Sequence, residues 1–115
     1  MTTPPIPRAI GYLRQDISGT REEWDKARIR KLATRYGYDL CKILAVSPAT
    51  DRPIHRLHVM LTRIEADAVF VPSAAHFDGG TIPSEVVQVA DVVTVDDERT
   101  VARYSTGQLP ETSGA

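Results

Sequence analysis

Arg14 and Asp16 follow the apolar run Ala9-Ile10-Gly11-Tyr12-Leu13. An arginine at the end of a buried strand is where an open α/β sheet meets an anionic ligand. The same guanidinium can instead close a salt bridge to Asp16 or Asp51. Asp51-Arg52-Pro53 sets a second arginine beside a carboxylate. His76 lies two residues before Asp78 in a loop of small residues. An imidazole and a carboxylate so placed can act as acid and base near neutral pH, while the plainer role is a loop-capping histidine. His55 and His58 stand three apart on one helical stretch, but without a third nearby ligand no metal site is expected. Arg21, Lys26, Arg28, Arg30, Lys31 and Arg35 crowd one segment opened by Glu22, Glu23 and Asp25. That order suits a helix dipole, so the segment is either a solvated helix face or an anion-binding one, with Arg28, Lys31 and Arg35 as the candidate patch. Trp24, Tyr36 and Tyr38 could stack on bases, although aromatic residues at this spacing are ordinarily core.

The elements that must position these residues alternate between strand and helix. Residues 9–13 form a short apolar first strand. Between Arg21 and Tyr36 the residues Trp24, Ala27, Ile29, Leu32, Ala33 and Tyr36 recur mostly at helical spacing. Thr20 and Glu23 supply a capping box, and Gly37 ends the helix. Residues 38–46 make a second strand, in which Cys41 packs into the core. Asp51 caps a second helix whose first turn holds Pro53 and whose stripe is Ile54, Leu57, Leu61 and Ile64. Ala68-Val69-Phe70-Val71 is a strand covered on both faces. A short helix over 84–90 and a fourth strand over 92–95 complete the order. This pattern predicts a single α/β domain over 9–104, with a four-stranded, mostly parallel sheet and helices on both faces. Residues 1–8 form an N-terminal lead, and the Gly, Pro, Ser and Thr of 105–115 predict a disordered tail.

A chain of 115 residues fits one domain, and 42% hydrophobic with 25% charged residues is an ordinary globular composition. The formal net charge of -1 lacks the overall signature of a nucleic-acid binder. No window approaches a membrane span, and Met1 to Pro7 does not resemble a secretory signal, so a cytoplasmic protein is expected. The lone Cys41 excludes an internal disulfide and any multi-cysteine metal site. No cofactor is expected.

Three segments, in this order, resemble the catalytic domain of serine recombinases of the resolvase and invertase type. Gly11-Tyr12-Leu13-Arg14 looks like the tyrosine-x-arginine motif that opens that domain, and Asp16 stands where its nucleophilic serine belongs. Asp51-Arg52-Pro53, with Leu57, Met60 and Leu61 behind it, is similar to the family's aspartate-arginine-proline segment. The resemblance makes Arg52 one of the arginines that hold the scissile phosphate. Ala68 to Val71 and the loop to Gly79 parallel the strand and arginine-bearing stretch that complete the active site. There, Ala75 replaces the aspartate, while His76 and Gly79 replace two arginines.

The resemblance thus implies a degenerate member with no catalytic residues of its own. Recombination needs a nucleophile that bonds to DNA and cations that stabilise the transferring phosphoryl group. An aspartate cannot simply replace the serine, because it would bring negative charge against a phosphodiester. The 115 residues also hold no candidate for the long helix and helix-turn-helix with which the family pairs and reads DNA. The expectation is a binding or regulatory module working as a homodimer or with a protein partner, with weak, non-specific nucleic-acid or phosphate binding through Arg14, Arg52, His76, Arg28, Lys31 and Arg35. Part of the valine run at 86, 87, 89, 92, 93 and 95 would then lie at a surface. A different class is also open. Asp16 to Thr20, Ser73 and Asp96-Asp97 are similar to the motifs of haloacid-dehalogenase-like phosphatases, with Asp16 as nucleophile and magnesium as the metal. Arg14 and Gln15 separate Asp16 from its strand, however, and no lysine lies between Ser73 and Asp97.

Overall fold

The protein's computed structural model describes residues 6–103. The first strand, β1 (Arg8–Arg14), begins one residue earlier than expected; residues 1–5 of the lead and the tail at 105–115 lie outside the described residues. It is followed by a one-turn helix α1 (Gln15–Ser18), a 3₁₀ turn at Gly19–Arg21 and the long helix α2 (Glu22–Arg35). Then come β2 (Asp39–Val46), α3 (Pro53–Ile64), β3 (Ala68–Val71), a short α4 (Ser84–Val87) and β4 (Asp91–Thr94). A fifth strand, β5 (Arg99–Val101), corrects the expected count of four. It carries Arg99 and Thr100, both exposed, and so shows no apolar signal in the sequence. The sheet runs β2-β1-β3-β4-β5, with every pair parallel except β4 and β5.

Alternation along β1 divides the core in two. Ala9 and Leu13 face α2, where Ile29, Leu32 and Ala33 join Ala68, Phe70 and Val93. Ile10 and Tyr12 face the other side, where Leu57 and Leu61 of α3 and Val86 and Val87 of α4 pack on Val69, Val71 and Val92. Helices therefore cover both faces, as the alternating pattern implies. Gly11 makes the α2 face possible. A Cβ there would fall 2.9 Å from Ile43 Cγ1 and 3.0 Å from Ile29 Cγ2.

Several local expectations need correction. Trp24 is 50% exposed and Ala27 is exposed, because the buried face of α2 runs through Asp25, Ile29, Leu32 and Ala33 instead. Asp25 takes the core-facing place in the first turn, where it accepts the Ser18 hydroxyl at 2.6 Å. The capping box does not form: Arg21 is the N-cap of α2, and Thr20 lies in the preceding 3₁₀ turn. Asp51 does not cap α3 either. That position falls to Arg52, whose backbone is left-handed at φ 44°, ahead of Pro53 in the first turn. Gly37 does end α2 as expected, at φ 84°. Cys41 is exposed, not core. It sits on the edge strand where Ala9 pairs with Leu40 and Ile10 with Lys42, so it is the residue left over at a bulge. Val86, Val87, Val92, Val93 and Val95 are all buried, and Val89 packs partly against them. The valine run therefore fills the core and makes no exposed patch. Among the described residues, no helix is long and apolar enough to cross a membrane.

Candidate functional site at the carboxyl ends of β1 and β3

In the order β2-β1-β3-β4, successive connections leave β1 in opposite directions, so a crevice opens beyond the carboxyl ends of β1 and β3. Arg14 ends β1 at this place, and the loop after β3 brings His76 to it. Ser73 starts that loop with its Oγ accepting the Ala75 amide, which turns Ala74–His76 into a single 3₁₀ turn. Phe77 then stacks on Tyr12 at 5.4 Å between ring centroids. Both rings are buried, so the loop is fixed to the strand by apolar packing.

The geometry settles what Arg14 and His76 do to each other. The Arg14 amide donates to His76 Nδ1 at 2.9 Å, so the imidazole is held with its other nitrogen as the donor. His76 is only 3% exposed, and burial pushes it below its ordinary value of 6.5. Asp78 is not its partner, which removes the acid and base pair considered for this loop. Instead, Asp78 accepts from Arg14 Nη1 at 3.0 Å. Asp16 takes the rest of the guanidinium side-on, Oδ1 from Nε at 3.2 Å and Oδ2 from Nη2 at 2.7 Å. All three guanidinium nitrogens thus meet carboxylates. The hydrogen bond from Arg14 holds Asp16 below the usual carboxylate range, and the same bond raises Arg14.

Beside this cluster lies a pocket of about 170 Å³ lined by Tyr12, Arg14, Ser47, Pro53, His76 and Asp78, among others. That volume is below the range of ordinary small-molecule sites. Arg52 is not among its lining residues. Its side chain is largely exposed, with Nε 3.4 Å from Asp51. His55 and His58 belong to no cluster of three metal-binding side chains among the described residues. For the phosphatase alternative, Asp16 would have to attack substrate, yet both its oxygens are committed to Arg14. Ser73 is spent on capping, and Asp97 accepts the Thr94 hydroxyl.

The basic candidates lie elsewhere, along α2. Arg28, Lys31 and Arg35 line a groove with Trp24, Leu32 and Glu98. Arg35 meets Glu98 at 2.6 Å. The feature missed in the sequence is the grouping around Trp24: Arg21 and Arg28 place their guanidinium carbons 4.4 and 4.8 Å from its ring centroid. Residue spacings of three and four from Arg21 to Trp24 to Arg28 were the available signal.

No family model and no curated protein matches the chain. Among solved structures, it is similar to a resolvase family site-specific recombinase from Streptococcus pneumoniae, with a TM-score of 0.63 and 14% identity. The similarity covers 89% of this chain and 78% of that one. At this identity the likeness shows the fold, which is resolvase-like.

Proposed function

We propose that this chain is a serine-recombinase-like domain that binds and does not cut, serving as a regulatory or interaction module. One observation carries the reading: the arginine ending β1 is neutralised by an aspartate two residues later, at the position the family gives to its nucleophile. A carboxylate there repels a phosphodiester and occupies the cation that would receive it. Ser18, the nearest hydroxyl along the chain, is buried and donates to Asp25. Nucleic-acid or phosphate contact then falls to the exposed arginines, Arg52 and those of α2, and is weak and independent of sequence. The association proposed for such a domain, with a second copy or with a protein partner, uses surface other than the buried valines. The test is incubation with supercoiled plasmid followed by denaturing trapping of covalent complexes. Unchanged plasmid topology and no adduct are expected, and an adduct mapped to Ser18 or Asp16 overturns the reading.

A further inference from the structure

We infer that the outer face of α2 is a site for single-stranded nucleic acid, bound by stacking and by phosphate contacts without regard to sequence. The inference rests on the reading of the chain as a binding module, and gives that module a location and a ligand class.

Arg21, Trp24, Arg28, Lys31 and Arg35 follow one another at spacings of three and four, and therefore share a face of the helix. The acidic residues of the same segment do not neutralise it. Glu22 and Glu23 are both taken by Lys26, and Asp25 is buried against Ser18. Among the described residues, no carboxylate lies within salt-bridge distance of Arg21, Arg28 or Lys31, and Arg35 alone is paired, with Glu98. A chain of net charge -1 thus concentrates three uncompensated cations on one short face.

Trp24 points to the kind of anion. Its indole is half exposed, and two guanidiniums lie over it. Planar guanidiniums against an indole make a surface on which an unpaired base can stack, with the same arginines free to turn to its phosphates. A duplex keeps its bases stacked inside and can use the charges only. Acidic side chains likewise find the charges but offer the indole no aromatic plane on which to stack. The face is also not a bare convex helix. Two shallow grooves meet at Arg28, one running along Lys31 and Leu32 to Val95, the other past Arg21 to Pro72 and Ser73. Glu98 lines the first groove, and Asp25 and Asp96 line the second, so carboxylates border the basic face without pairing with Arg21, Arg28 or Lys31.

Trp24 is the only tryptophan in the chain, so its fluorescence reports on this site alone. Titration of the full chain with a thymidine oligonucleotide at low salt should quench it, with affinity falling steeply as salt is added, on the order of two to three released counterions. A labelled oligonucleotide followed by anisotropy should bind Trp24→Ala about tenfold more weakly. Arg28→Ala with Lys31→Ala should lose at least as much, and Glu98→Gln, by freeing Arg35, should bind more tightly. Circular dichroism checks that these substitutions, at exposed or half-buried positions, leave the fold intact. Absence of binding at low salt, equal binding of a duplex that is indifferent to Trp24→Ala, or equal competition by polyglutamate each overturns the inference. None of those outcomes touches the cleavage result, and a covalent adduct would overturn the non-cutting reading while leaving the Trp24 titration as it stands.

Discussion

A histidine buried as deeply as His76 makes folding depend on pH. Its Nδ1 already accepts the Arg14 amide, and burial disfavours the charged ring, so its folded value lies below 6.5. In the window between that folded value and 6.5 the unfolded chain binds the proton and the folded one does not. Stability contributed by neutral His76 is therefore complete above about pH 6.5 and is lost as the pH falls through that window. Urea midpoints should drop between pH 7.5 and 5.5, and His76→Gln should flatten the drop even if it lowers stability overall. Asp16 and Asp97, both held below the carboxylate range, lose their contributions only near and below pH 4, which keeps the two effects apart. The buried Ser18 and Asp25 pair gives a second expectation. Ser18→Ala leaves a carboxylate that is only 7% exposed without that donor, and the cost should be about 1 to 3 kcal/mol in chemical denaturation.

The elements hold two positions where a single backbone requirement decides stability. Gly11 lies beneath Ile29 and Ile43, and a Cβ there would force one of these branched side chains to shift, so Gly11→Ala should cost about 1 to 3 kcal/mol through overpacking. Glu65 closes α3 in the left-handed conformation at φ 59°, where glycine is favoured. Glu65→Gly should stabilise the fold by up to about 1 kcal/mol, read as a higher urea midpoint. Strands β1 and β3 and helices α2 and α3 were legible in the sequence because their apolar residues are periodic or continuous. The rotation of α2 was not, since an aspartate occupies a core-facing position there and a tryptophan does not. The partner of that aspartate is the hydroxyl of Ser18, which lies outside the helix, so periodicity within α2 carries no trace of it. At the site, the pairing of Arg14 with Asp16 was one of two options open from spacing alone. The reach of Asp78 to Arg14, and of the Arg14 amide to His76, depends on a loop that returns from 62 to 64 residues away.

Across the described residues, the buried valines leave five large apolar side chains exposed: Ile6, Ile17, Trp24, Tyr36 and Val59. A homodimer is expected in light scattering at micromolar concentration, and with the valines buried a clean monomer would count against both forms of association. The two margins of the sheet bear on the same question. One margin is β5, three residues long; the other is β2, interrupted at Cys41 and carrying Asp39 and Lys42. A protruding strand with unpaired amides and carbonyls invites another chain to continue the sheet, and shortness, charge and a bulge all discourage this. The extra residue at Cys41 thus makes this edge a poorer match for an added strand. Removing it would straighten the ladder and leave a regular template on which further copies could align.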